Sequence, residues 1–319
     1  MKLISPVDHL AEVAPLLEAG ASELYGGWVP EEWRRGFNLL ASPNQRTFAG
    51  AQIDSLEELA AIVDRAHRGG ATFSLTLNAP FFSDAQVPLL LDYVERCAAA
   101  GVDGIILADL GLLRLLRPRF PRIELHASTL AHLGNSAALR MYARQGIDRV
   151  VLPRHLTVGE MCNIVEKTPE VRCDAFLLVG KCPNNEGLCS HHHADPDKIW
   201  PCEIPYRIEP LDAPADPRLE TAMARQGSWA KSDRRHGCGL CAIPSLLRVG
   251  ISGCKLVGRG APTMQKVSNL LLAGEFLRLA QTSPDFPVYR RVARAAYRRR
   301  FGTTCSPNVC YYPEFYEAE

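Results

Sequence analysis

Eight times along this chain a short apolar run rich in branched residues gives way to a longer segment of helical period, and that alternation narrows the choice of folds more than any other feature. The runs are Leu3 to Pro6, Glu23 to Gly27, Phe73 to Asn78, Gly104 to Asp109, Ile123 to Thr129, Arg149 to Pro153, Asp174 to Gly180 and Gly253 to Gly258. A strand reached from its predecessor through a helix pairs with it in parallel, and parallel strands bury both faces, which explains runs without polar alternation. Eight such units predict a closed α/β architecture, a TIM-type (β/α)8 barrel. The joints agree. LLEAGASELY, CAAAGVDGII and ARQGIDRVVL each set a glycine at a helix end just before a strand, and Ser55 and Thr157 open helices with a glutamate three residues on. The regularity breaks in a Pro- and Cys-rich insertion after the seventh strand, residues 180–242, and again after Asp285. One barrel domain over 1–285 with an Arg-rich C-terminal extension over 286–319 is therefore expected.

Apolar residues make up 47% of the 319, ample for a core, and no apolar run reaches the ~18 residues that span a bilayer. Asp8 and Glu12 interrupt the N-terminal segment where a signal peptide would be uncharged, so a cytoplasmic location is expected. Eleven cysteines in such a compartment point to metal ligation rather than a disulfide framework. With a formal charge of +1 there is no global basic field, so RNA is not expected as a partner and a small-molecule substrate is. The basic run from Val288 to Phe301 is read as a solvated face.

The loop after the seventh strand carries Cys182, Cys189 and Cys202, and Cys238 and Cys241 follow in HGCGLC. Four thiolates hold zinc or an iron–sulfur cluster, and the scattered spacing, with only one CxxC, fits a cluster better than a zinc knuckle. Cys238 and Cys241 compete for the fourth position. Cys254, Cys97, Cys162 and Cys173 sit in strands or helices as small core hydrophobes, while Cys305 and Cys310 in CSPNVC are left open as additional ligands. The adjacent His191 to His193 cannot all face one ion. Polar residues at strand ends face the mouth of a barrel, which makes His126 the candidate catalytic group and Asn78, Asp109, Ser128 and Arg259 candidates for substrate binding.

LHAST after the fifth strand, the cysteine loop, and then SDRRHGCGLCAIPSLLRVGISGCKLVGR resemble, in that order, the collagenase-like peptidase family, peptidase family U-32. The resemblance runs from about Leu3 to Gln281 and is nearest to the UbiU/UbiV-type oxygen-independent hydroxylation proteins. It implies a 4Fe-4S cluster on Cys182, Cys189, Cys202 and Cys241, with Cys238 spare, and a redox hydroxylation as in ubiquinone biosynthesis rather than proteolysis. It also implies prephenate as a hydroxyl donor and a related family member as a heterodimer partner. Other relatives hydroxylate ribosomal or transfer RNA. Two departures fall near the expected pocket: Val257 stands where the family has glutamate in the closing KIEGR strand, and Gly27 to Leu40 does not match its usual loop.

Overall fold

The computed structural model describes residues 1–37, 42–46, 48–182, 185–188, 211–213, 216–228, 234–282 and 285–317. Its eight strands form a closed parallel barrel in sequence order: β1 (Lys2–Pro6), β2 (Glu23–Gly26), β3 (Thr72–Leu77), β4 (Gly104–Leu107), β5 (Glu124–Ala127), β6 (Arg149–Val151), β7 (Arg172–Leu178) and β8 (Gly253–Leu256). Every predicted strand is present, and β8 closes on β1 with Leu3 opposite Cys254. The pairing of β7 with β8 shifts register between Phe176 and Leu178, where the chain leaves the wall for the cysteine-rich insertion.

The helices that cover the barrel are α1 (Val13–Glu18), α2 (Glu31–Gly36), α3 (Leu56–Arg68), α4 (Val87–Ala99), α5 (Leu110–Arg119), α6 (Ser136–Arg144), α7 (Val158–Lys167), α8 (Pro217–Ser228), α9 (Ile243–Val249), α10 (Thr263–Thr282) and α11 (Phe286–Phe301). The expected caps form. Ser55 accepts from the Glu58 amide, and at α7 the box closes in both directions, the Thr157 hydroxyl receiving the Glu160 amide while the Glu160 carboxylate receives the Thr157 amide.

Outward-facing strand residues and the inner faces of the helices make one continuous core, whereas Ile4, Tyr25 and Ile106 form a separate apolar plug inside the barrel. That alternation follows from the two-residue period of a strand. The C-terminal residues do not stand apart as an extension: Tyr289, Ala293, Ala296 and Tyr297 of α11, with Tyr311 and Tyr312, join the main core. Tyr312 donates to the Phe176 carbonyl (2.7 Å) and Tyr289 to that of Leu240 (3.1 Å), tying the tail to β7 and to the turn before α9. Of the cysteines expected in the core, Cys97, Cys173 and Cys254 are buried. Cys162 is not; it lies half-exposed on α7 with its sulfur 3.3 Å from Glu166. Among the described residues no helix is long and apolar enough to cross a membrane.

Candidate active site at the barrel mouth

The barrel interior is polar at both ends, and the two ends do different things. At the N-terminal end, Glu23 and Arg149, each the first residue of its strand, meet at 2.6 and 2.8 Å. Ser74 donates to Glu23 at 2.9 Å, Lys2 approaches it at 3.3 Å, and Asp174 stands 3.5 Å from the far side of the Arg149 guanidinium. Burial raises Glu23 and the Arg149 charge lowers it, with the net result below the usual carboxylate range, whereas burial dominates at Asp174 and lifts it to about 6.

His126 belongs to this network. It points inward from β5 and is buried, with Nε2 3.0 Å from Glu124 and 3.0 Å from an Arg149 nitrogen. Burial pulls it down to about 4, so the ring is neutral near pH 7. The expected catalytic His126 at the mouth is thereby corrected. The residue stands one before the strand end, and in register it faces Arg149 at the foot of β6. Strand periodicity predicts which side a residue faces, not how deep in the barrel it lies.

At the C-terminal end the loops are knitted around Arg259. Its guanidinium donates to the carbonyls of Asn44 (3.1 Å) and Ala51, to Thr76 Oγ1 (3.2 Å) and to Gln52 (3.5 Å), and lies 3.9 Å from Asp8. Arg259 is thus at the mouth, as expected, but its two terminal nitrogens are committed to Asn44, Ala51, Gln52 and Thr76, and Nε alone has no hydrogen-bond partner. The segment carrying Asn44 can approach because residue 27 is glycine: a Cβ there would stand 2.4 Å from Thr76 Oγ1 and 2.5 Å from Asn44 Nδ2. Asp109 is likewise committed, accepting from the amides of Leu112 (2.8 Å) and Phe82 (2.9 Å) as the cap of α5. Ser128 accepts from the Leu130 amide at 3.2 Å, starting a 3-10 turn. Of the expected binding residues, Asn78 alone presents a buried side-chain oxygen with no protein partner.

The groups that remain to meet a ligand were not singled out from the sequence. Tyr25 and Phe176 present ring faces inside the mouth: Lys255 Nζ lies 4.0 Å from the centre of the Tyr25 ring, and the Arg154 guanidinium stacks 3.6 Å from that of Phe176. Phe176 and Lys255 are register partners, so the two ring–cation pairs are neighbours. Arg154 also pairs with Glu186. Arg46 lies half-buried near Tyr25, and desolvation with the nearby Arg259 charge lowers it to about 10. Burial likewise brings Lys255 down to about 8, against the opposing pull of Asp174. Cations therefore outnumber the facing Asp8 and Glu186 around two aromatic faces, an arrangement suited to a flat group carrying negative charge. A signal was present in the sequence: Lys255 is the one charged residue in GCKLVG, and Arg154 follows directly on RVVLP.

Of the expected cluster ligands, Cys182 follows β7 half-buried, Cys241 lies in the turn before α9, and Cys189 and Cys202 fall outside the described residues together with His191 to His193. Cys241 instead shares a small cavity, about 20 Å3, with Cys238, Cys305 and Cys310.

Residues 8–273 match the sequence profile of Peptidase family U32. Among curated proteins the chain is 27% identical over 265 residues to tRNA hydroxylation protein P1 of Bacillus subtilis (strain 168), covering 81% of this chain and 58% of that protein. It is 30% identical over 219 residues to the 23S rRNA 5-hydroxycytidine C2501 synthase of Escherichia coli (strain K12), covering 66% and 30%. The chain thus spans less than two thirds of the curated relatives it matches. The solved structure of the U32 peptidase Mk0906 superimposes with a TM-score of 0.52 at 13% identity, over 82% of this chain and 94% of that one, a likeness of fold. These names overturn the expectation of a small-molecule substrate in place of RNA, because the relatives are named for acting on transfer and ribosomal RNA. A whole-chain charge of +1 averages out the cations gathered at the mouth, so it does not speak to a local patch. The matched profile, the ordered motifs and the barrel agree: the chain belongs to peptidase family U32.

Proposed function

We propose that this protein takes part in hydroxylating an RNA base, with a nucleotide drawn out of its strand into the barrel mouth. The observation that carries the reading is the pairing of cations with aromatic faces, Arg154 on Phe176 and Lys255 on Tyr25, at the end of the barrel where this fold performs chemistry. Unstacked RNA bases are held by stacking on aromatic rings and guanidinium planes, and their phosphates by arginine. The names of the relatives support the same substrate class over a quinone precursor.

In this reading Arg154, braced by Glu186, offers its outer face to the base or phosphate. Arg46 and Arg259 supply a fixed positive field behind the Tyr25 ring, and Asn78 offers its unpartnered oxygen to a base amino group. Lys255, titrating near 8, is able to give or take a proton at neutral pH without leaving the ring it covers. An iron–sulfur cluster would be held by Cys182, Cys189, Cys202 and Cys241. What supports a ligand from the run Gly237 to Cys241 is that the run lies against the end of β7, a few residues before Cys182, with the Gly239 amide donating to the Leu177 carbonyl at 2.8 Å and Cys238 paired with Leu178. When bound, such a cluster supplies single-electron transfer.

The test is nucleoside mass spectrometry of transfer and ribosomal RNA from cells with and without this chain, grown without oxygen. One nucleoside heavier by a single oxygen atom is expected only where the chain is present, and its loss is expected with Arg154→Ala. RNA that is identical in both strains removes the proposal.

A further inference from the structure

We propose that Cys238, Cys241, Cys305 and Cys310 form a four-thiolate metal site, closed by the C-terminal segment. Three features of the chain converge on it. The four side chains line one cavity, and none of them is in a disulfide. The two cysteine-bearing turns are held side by side: Cys238 pairs in parallel with Cys310, the Cys238 amide donating to the Val309 carbonyl at 2.9 Å and the Tyr311 amide to the Cys238 carbonyl at 2.8 Å. Each turn then aims a backbone N–H at its own first sulfur, that of Leu240 at Cys238 and that of Tyr312 at Cys310. An amide two residues on that donates to a thiolate is the arrangement that orients and stabilises a metal-bound cysteine, and a lone buried thiol has no need of it.

The surroundings fit a negatively charged centre. Arg294 lines the same cavity, held in place by Glu317 at 2.7 Å, so that a cation faces the thiolates. A metal entering the cavity would displace the protons of these free thiols. Both kinds of thiophilic centre require some movement. Among the described residues no three of these sulfurs lie within 4.8 Å of one another, against ~3.8 Å for sulfurs 2.3 Å from one tetrahedral zinc, so a single ion would draw them inward. The cavity of about 20 Å3 has room for about one water molecule, so an iron–sulfur core would push the segment from Gly302 to Tyr312 outward. The shared chemistry is a thiophilic metal on four cysteines.

This site is independent of the RNA substrate and competes with the loop quartet for Cys241. The experiment therefore sets Cys305→Ser/Cys310→Ser against Cys182→Ser/Cys189→Ser/Cys202→Ser in the full chain purified without oxygen. Iron, zinc and acid-labile sulfide are measured per chain, and the absorption of Co2+ added to metal-free protein is recorded as a count of thiolate ligands. Metal content and Co2+–thiolate absorption are expected to fall at least tenfold in the tail double variant and to persist in the loop triple variant. Iron with sulfide identifies a cluster, and zinc alone a single ion. A tail variant that unfolds at the same temperature as metal-free wild type shows the loss is not one of folding. Wild-type metal content in the tail variant, or a wild type that takes up neither metal, overturns the proposal. Loss in the loop variant alone assigns Cys241 to the loop quartet instead.

Discussion

Replacing Arg149 by methionine removes a guanidinium that stands between two buried carboxylates inside the barrel. Its side chain is 2% exposed, Glu23 1% and Asp174 2%, so neither acid can turn to water once the cation is gone. Breaking a buried ion pair by deleting one partner costs about 3–5 kcal/mol. With an unfolding entropy of about 2.1 cal/mol/K per residue, that lowers the melting temperature of a chain this long by roughly 5–8 °C. The loss depends on pH, and its sign is fixed. Without Arg149 both acids have folded-state pKa values above their unfolded ones, and Asp174 stands near 6 even with the cation present. Acids raised in this way stabilise the fold below the unfolded pKa and lose that contribution as pH rises through the folded one. His126 acts in the same direction, because the Arg149 charge helps keep its ring neutral and its removal lets the ring accept a proton in acid. The deficit of Arg149→Met should therefore be largest near pH 7.5 and smaller near pH 5, when both chains are melted under calorimetry. Adding Glu23→Gln should return part of it at pH 7.5. A drop below 1 °C, or one equal at both pH values and untouched by Glu23→Gln, would refute the assignment of this layer as an ion network.

At the mouth, Lys255→Met should weaken binding of single-stranded RNA at pH 7 and remove a loss of affinity that the wild type shows as pH rises through about 8, read by fluorescence anisotropy at fixed salt; a wild type with a flat profile over that range contradicts the role given to this amine. Thr157→Ala opens the capping box of α7 and should cost about 1 kcal/mol in urea unfolding, whereas Thr157→Ser should cost little. Gly26→Ala would place a Cβ 2.6 Å from the Val7 carbonyl oxygen and 3.0 Å from Ile53, a strain of about 1–3 kcal/mol that the barrel wall cannot relieve by rotating a side chain; unchanged stability would mean that β1 and β2 can part there.

The barrel was legible because its signals are local and repeated. A glycine closing several helices before the next run, a Ser55 or Thr157 cap, and eight apolar segments are each set by a few adjacent residues, and all eight strands formed where the sequence placed them. The site was legible only in outline. That polar strand ends gather at one mouth follows from topology, and Asn78 and Arg259 are there; which of them has donors to spare depends on contacts made across hundreds of residues. Arg259 commits its two terminal nitrogens to Asn44, Ala51, Thr76 and Gln52, and the Asp109 carboxylate accepts from two amides. His126 misled for a related reason, since one residue of depth decides between the mouth and a sealed ion layer.

The cysteines show the same limit from the other side. Spacing in sequence favoured the compact set around Cys182 and made Cys305 and Cys310 look remote, yet α11 and the burial of Tyr311 and Tyr312 fold the tail back onto β7, where Cys310 lies beside Cys238. What carries the tail there is aromatic packing, with Tyr311 stacked at 10° on Phe176 and Tyr312 bonded to the Phe176 carbonyl. Phe176 is also the ring beneath Arg154. One side chain of β7 thus supports the stacked cation at the mouth and anchors the segment that brings the four thiols together, so a metal that moved the tail would be felt at the mouth through that ring.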